Sequence, residues 1–146
     1  MNEPLVQRPV ATVGVVCLRG EAVLLVKRGN PPRQGQWSLP GGRLEWGETL
    51  TEGALRELFE ETAVRAEVLG LVDVVDGVMA SRTTGEVVRH YIMIDFACRW
   101  LSGEPVAGDD AADARFFPLA EALAAVEWEE TRRVIVQAVE RFGAAP

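Results

Sequence analysis

Residues 41–64 read GGRLEWGETLTEGALRELFEETAV, and the spacing of acids and aliphatics in this stretch decides how the rest of the chain is read. Thr49 and Glu52 stand at the capping-box spacing, in which each side chain satisfies a backbone N–H that a first helical turn leaves open. A helix is therefore predicted from just after Thr49 to about Thr62. At about 100° of rotation per residue, Glu57, Glu60 and Glu61 share one front. Ala54, Leu55, Leu58, Phe59 and Thr62 fall on the opposite side, which is expected to bury against a sheet. Like charges one turn apart, as Glu57 and Glu61 are, cost an isolated helix only about 0.2–0.5 kcal/mol, so a solvated acidic face is one reading. Two neighbours argue for another. Gly53 lies one turn before Glu57 on the same front, where glycine costs about 1 kcal/mol relative to alanine, and this suggests a close approach. Arg56 lies one turn after Glu52 and one turn before Glu60, so its guanidinium can hold a carboxylate in a fixed direction. Oxygen ligands gathered without thiols or imidazoles suit a hard cation, Mg²⁺ or Mn²⁺.

Outward from this helix, both flanks read as strands. The runs VATVGVVCL and AVLLVKR flank Arg19-Gly20-Glu21, the pattern of a tight hairpin. GNPPRQGQ reads as a loop, after which apolar pattern resumes in WSLP. Beyond the helix, AEVLGLVDVV and VVRHYIMIDFACRW read as long strands separated by ASRTTGE. The second is nearly continuous in apolar residues and is expected to be covered on both faces. SGEPVAGDDAAD follows as a loop and ARFFPL as a short strand. The stretch from Ala120 to Phe142 has helical pattern, with Val134, Ile135, Ala138, Val139 and Phe142 at helical spacing. This order predicts an α/β chain of the mixed-sheet α+β kind with helices on both faces, in one domain over residues 1–146 with its core at about 8–142.

Composition narrows the partners. The formal net charge is −7, which leaves no broad basic surface for a nucleic acid backbone or an anionic membrane. Cys17 and Cys98 both lie in apolar runs, where a free thiol behaves as a small buried hydrophobe, and their spacing gives neither a disulfide framework nor a metal motif. The first residues, MNEPLVQRP, carry no apolar signal core, and no apolar run approaches the roughly 20 residues that span a bilayer. The expected compartment is the cytoplasm.

The opening stretch resembles the signature box of the Nudix hydrolases: Gly, five residues, Glu, seven residues, then Arg-Glu-aliphatic-x-Glu-Glu-x-Gly-aliphatic. Gly42, Glu48, Arg56, Glu57, Leu58, Glu60, Glu61 and Val64 fill those places in register, so the box spans 42–64. Ala63 stands where the family has glycine. An L-residue pays about 1–2 kcal/mol in a left-handed turn, so the helix end is expected to differ in shape, with no ligand lost. The order of elements on either side resembles the family's αβα sandwich.

The resemblance implies metal-dependent hydrolysis of the pyrophosphate bond in a nucleoside diphosphate linked to another moiety. It makes Glu57 and Glu61 the principal ligands of Mg²⁺ or Mn²⁺, with Glu60 an additional ligand, the Gly41 carbonyl a neighbour, and Glu48 and Arg56 orienting groups. Family members differ in where the general base lies. Asp109, Asp110 and Asp113 are available in the second loop, and Asp110 is preferred, with a turn cap as its alternative role and Glu57 as the competing base. Arg28 and Arg33 are candidates to clamp phosphate or a terminal ribose, or else are solvated. Trp37, Trp46 and Tyr91 are candidates to stack on a base, with core packing the alternative for Trp37 and Tyr91. His90 is assigned no role. GQWSLPGG before the box and AGDDAADARFFPL after it look like the group labelled ADP-ribose pyrophosphatase. Three functions stay open: a pyrophosphatase of ADP-ribose or a similar nucleotide sugar, a (deoxy)nucleoside triphosphate pyrophosphohydrolase, and a non-catalytic nucleotide sensor. The family resemblance also favours a homodimer.

Overall fold

The computed structural model describes residues 7–31 and 33–143. The reading of the first six residues, and of Pro32 in the GNPPRQGQ loop, lies outside them.

Strand β1 (Val10–Arg19) turns through Gly20-Glu21 into β2 (Ala22–Arg28), with Arg19 opposite Ala22. Gly20 takes a φ of 59°, a conformation the short hairpin needs and glycine adopts without penalty. Past Leu18 and Val23 the register between these strands ends, because each takes other partners. The far part of β1 pairs through Thr12–Gly14 with β4 (Gly41–Arg43), while β2 pairs with β3 (Trp37–Ser38) and with β7 (Ala111–Pro118). On its other side β1 runs parallel to β6 (Val87–Ser102), and β6 pairs antiparallel with β5 (Arg65–Ala80). The sheet order is β3-β2-β1-β6-β5, with β4 on β1 and β7 on β2. One parallel pair among antiparallel ones makes the sheet mixed, as expected.

Alternation along β1 sends side chains to opposite faces. Val13, Val15 and Cys17 pack with Ala54 and Leu58 of α1 (Leu50–Thr62). Val16 and Leu18 pack with Ala122 of α2 (Leu119–Ala125) and with Val134, Ile135 and Ala138 of α3 (Glu129–Phe142). Helices therefore cover both faces. Full burial of a side chain such as Leu58 contributes about 1.5–3 kcal/mol. Cys17 and Cys98 are free, buried and side by side in the β1–β6 register, and burial pushes both thiols up to about 12. Among the described residues no helix is long and apolar enough to cross a membrane.

Several expectations need correction. The helical tail is two helices, interrupted at Val126–Trp128, where Val126 bridges Trp37 instead of continuing the helix. Phe59 is not on the buried side of α1: it is 43% exposed, with the Arg65 guanidinium 4.3 Å from its ring centre. The buried stripe is the narrower row Ala54, Leu58 and Thr62, spaced at four residues, and Leu55 is half-buried. Burial of β6 is continuous only over Ile94–Cys98. Asp113 is in strand β7 opposite Lys27, not in the loop.

The end of α1 keeps the left-handed turn despite its alanine, with Ala63 at φ 62°. Hydrogen bonds hold it there. The Ala63 N–H reaches the Phe59 carbonyl at 2.8 Å, and the chain after β6 donates the Val106 and Gly108 N–H groups to the carbonyls of Thr62 and Glu61, each at 2.9 Å. The buried Thr62 hydroxyl donates to the Leu58 carbonyl at 2.6 Å and accepts from the Val64 N–H at 3.2 Å. These bonds satisfy carbonyls that a helix C-terminus leaves open.

Candidate active site

Helix α1 starts as its sequence dictates. The Thr49 hydroxyl accepts the Glu52 N–H at 3.2 Å, and the Glu52 carboxylate accepts the Thr49 N–H at 2.9 Å. Glu52 is thus committed to the cap, leaving Arg56 to the other acids. The Arg56 guanidinium donates from Nε and Nη2 to Glu48 at 2.9 and 2.6 Å, and from Nη1 to Glu57 at 2.8 Å and Glu60 at 3.1 Å. Its Nη2 also reaches the Arg43 carbonyl at 3.1 Å. The bonds from Arg56, aided by the Glu45 N–H, hold the Glu48 carboxyl down at about 2. Gly53 explains itself here, since a Cβ would stand 2.8 Å from Leu44 Cδ1 and 2.9 Å from Glu48 Oε1.

Glu57 and Glu61 lie under the Gly41-Gly42 pair. A Cβ on Gly42 would come within 2.6 Å of the Glu57 carboxylate, and one on Gly41 within 2.2 Å of the Val13 carbonyl oxygen, so both glycines are steric requirements. The Gly41 N–H donates to Glu61 Oε2 at 3.3 Å; this N–H is the Gly41 group seen against the acid, where the sequence suggested the carbonyl. Burial raises the Glu57 carboxyl despite the bond from Arg56. Burial pushes Glu61 up to about 8 against the help of the Gly41 N–H, and the neighbouring Glu57 adds to the rise. The charge of Asp109 acts in the same direction on both acids.

Both glutamates line a cleft of about 720 Å³ that occupies the gap where β1 and β2 part. Gly41, Arg28, Arg33, Trp37, Tyr91 and Asp110 also line it. Lys27, Arg43 and Arg89 add positive charge to its walls. Tyr91 accepts a hydrogen bond from Arg89 Nη1 at 3.4 Å. Trp37 belongs partly to the core, edge-on to Phe117 at 4.8 Å. Asp110 joins two loops, accepting from Asn30 Nδ2 at 3.1 Å through Oδ1 and from the Gly29 N–H at 2.9 Å through its carbonyl. Four of the sequence candidates stand off the lining. Glu48 and Arg56 sit behind Glu57, and Glu60 is partly exposed and bonded to Arg56. Trp46 is fully exposed in the turn before α1, away from the cleft.

Among the described residues, no three acidic, histidine or cysteine side chains stand close enough to enclose a metal ion by themselves. The pair of Glu57 and Glu61 still fits a hard divalent ion. It offers oxygen donors only, in a half-enclosed place where burial penalises negative charge, and such ions routinely complete their shells with water and ligand oxygens.

The sequence reading missed Asp95, Trp128 and Glu130, all of which line the cleft. Asp95 is only 8% exposed, and burial, with Asp73 adding and Arg133 opposing, pushes its carboxyl up to about 6. A signal was present: Asp95 is a lone acid inside the apolar run YIMIDFAC. Trp128 and Glu130 gave none, because only the docking of α3 brings them to β1.

A family model described as NUDIX domain matches residues 8–139. An ADP-ribose pyrophosphatase of Methanocaldococcus jannaschii is 38% identical over 111 residues, covering 76% of this chain and 63% of that protein. A Mycobacterium tuberculosis protein provisionally named 8-oxo-dGTP diphosphatase 2 is 34% identical over 96 residues, covering 65% of this chain and 64% of its own length. This chain therefore spans somewhat less than two thirds of these curated relatives. Among solved structures, the NUDIX domain of Shewanella oneidensis NrtR complexed with ADP ribose superposes with a TM-score of 0.76 at 25% identity, covering 93% of this chain and 90% of that one.

Proposed function

The chain belongs to the Nudix family, and from that premise we propose that it is a metal-dependent pyrophosphohydrolase whose substrate is ADP-ribose or a similar nucleotide sugar. The observation that carries the reading is the pair of half-buried carboxylates, Glu57 and Glu61, in a cleft that Lys27, Arg28 and Arg33 also line. A diphosphate needs positive charge on both sides, and the α1 residues on the cleft lining are the two acids Glu57 and Glu61. Glu57 and Glu61 are the residues that would hold Mg²⁺ or Mn²⁺ there. Such an ion supplies charge that offsets the diphosphate and eases the ionisation of the attacking water.

The other roles fall to the chain itself. Arg56, fixed by Glu48, aims Glu57 and keeps Glu60 beside it. Arg28 and Arg33 face the phosphates, and the aromatic walls accept the base. Asp110, held through one oxygen by Asn30, is the proposed base that takes the proton of the attacking water, with Glu57 as its competitor. The 38% identity to an ADP-ribose pyrophosphatase supports this substrate. A second reading, hydrolysis of a (deoxy)nucleoside triphosphate, draws on the relative named for 8-oxo-dGTP.

Incubation with ADP-ribose and with 8-oxo-dGTP, each with Mg²⁺ or Mn²⁺ in ¹⁸O-labelled water, separates them by mass. AMP and ribose 5-phosphate are expected from ADP-ribose, with one product labelled. A monophosphate and pyrophosphate from 8-oxo-dGTP alone would favour the second reading, and no product from either would remove the enzymatic one.

A further inference from the structure

We propose that Asp95 determines base specificity by accepting a hydrogen bond from the exocyclic amino group of an adenine bound in the cleft. The proposal deepens the reading of the cleft as a nucleotide site and rests on it.

Four observations lead there. The first is steric. Asp95 lies beside Gly14 in the parallel β1–β6 register, and a Cβ on Gly14 would stand 2.3 Å from Asp95 Oδ1. Glycine inside a strand weakens it and marks a close approach. Here the approaching group is this carboxylate, so the chain makes room for an acid on the cleft floor. The second is that Asp95 has no donor. Among the described residues none gives it a hydrogen bond, although it is more than nine-tenths buried. Arg133, whose charge acts on Asp95, spends its guanidinium on Asp73 at 2.6 Å and Glu130 at 2.5 Å. Its oxygens keep access to the cleft, since among the described residues no enclosed side-chain oxygen or nitrogen lacks a partner, so a ligand N–H can take the place of water on this carboxylate.

The third concerns the surroundings. The same cleft presents Val75 and Met93 on the strands, Trp37 and Trp128 as flat aromatic walls, and Val134 from α3. Apolar walls with a few convergent polar groups, Asp95 among them, are how a planar heterocycle is held and oriented. The fourth is electrostatic. Asp95 and Glu130 on the cleft lining repel phosphate, whereas the cationic residues Lys27 and Arg28 extend from β2, with Arg33 in the loop that follows and 5.7 Å over the Trp128 ring. A nucleotide is therefore oriented base toward Asp95 and diphosphate toward Glu57, Glu61 and the arginines. The 6-amino group of adenine is the donor that an otherwise unbonded carboxylate can read.

Calorimetric titration with AMP and with purine riboside 5′-monophosphate tests this, because the two differ only by hydrogen in place of the 6-amino group. With Mg²⁺ present, the wild-type chain is expected to bind AMP at least tenfold more tightly. In Asp95→Ala the two affinities should converge, while Asp95→Asn, whose carbonyl still accepts, should keep part of the preference. Equal binding by the wild type overturns the proposal without recourse to any variant, and so does a preference that survives in Asp95→Ala. Turnover of ADP-ribose, measured in parallel, is a separate readout. Its absence with the AMP preference intact would remove the hydrolase reading and leave Asp95 its role, and turnover without preference would do the reverse.

Discussion

Gly42→Ala puts the geometry of the acidic pair to a direct test. Gly42 is outside the set of residues with left-handed backbone, so alanine adds no conformational strain. The new methyl group would meet Glu57 Cδ and Oε2 at 2.6 Å and Oε1 at 2.7 Å. Non-bonded carbons settle near 3.5 Å, so the carboxylate must retreat by about 1 Å. Because the yielding group is the end of a flexible side chain, the stability cost should stay at about 1 kcal/mol, or roughly 3 °C in Tm. Function is more sensitive. A misplacement of about 1 Å near reacting atoms can lower rates by about 100-fold, and the retreat also strains the 2.8 Å bond from Arg56. We expect kcat for ADP-ribose at saturating Mg²⁺ to fall by about 10- to 100-fold with a nearly unchanged melting curve. Gly41→Ala is the contrasting neighbour, since its methyl would stand 2.2 Å from the backbone oxygen of Val13 and must part β1 from β4. That overpacking should cost about 3 kcal/mol and appear chiefly in Tm. Wild-type turnover in Gly42→Ala would refute the role given to the Glu57 position.

Asp95 gives a pH signature in stability. Its folded carboxyl ionises near 6 and the unfolded one near the ordinary 3.8, so as pH rises the unfolded chain releases its proton first. The Asp95 contribution to stability should therefore fall by up to about 3 kcal/mol between pH 4 and 6 and level off above, where the raised Glu61 carboxyl goes on lowering stability as pH rises toward 8. Urea denaturation of Asp95→Asn should lack this fall, and an identical pH profile in variant and wild type would contradict it. Mg²⁺ at about 100 times its Kd should stabilise the wild type by about 2.7 kcal/mol. Glu61→Gln should fold normally, lose most of that gain and most turnover; an undiminished gain in Tm would show the ion to be held elsewhere. Glu60→Gln should lose about tenfold in kcat and Glu57→Gln at least 100-fold, because Glu60 touches Arg56 and is off the cleft lining. Equal losses would give Glu60 a direct part.

Features governed by neighbours in sequence were legible. The capping box at Thr49, the hairpin at Gly20 and the acidic front of α1 all depend on contacts within a few residues, and the structure has them where the pattern put them. Features set by distant contacts were not. Nothing in AAVEWEE announces a break between α2 and α3; the pairing of Val126 with Trp37 creates it. Phe59 has the right residue type for the core, but the neighbouring Arg65 gives its ring a cover at the surface. The left-handed Ala63 is stabilised by bonds to a loop more than 40 residues away in sequence. Trp46 and Trp37 were both candidates to stack on a base, with core packing the alternative for Trp37, and only the packing separates a solvent-facing ring from one at the cleft wall. Asp95 could have been found, because an acid amid Ile, Met, Phe and Ala in a strand must answer for its burial.

The parting of β1 from β2 means that the cleft passes between the two faces of one sheet. Residues that would perform hydrolysis hang from α1 on one face, and the wall that would grip the base is furnished from α3 on the other. On the proposed assignment, a heritable change in α3 would retune which compound is held without passing through the helix that bears the acids. Such a layout would let descendants of one ancestral chain diversify in diet while inheriting the same scissors.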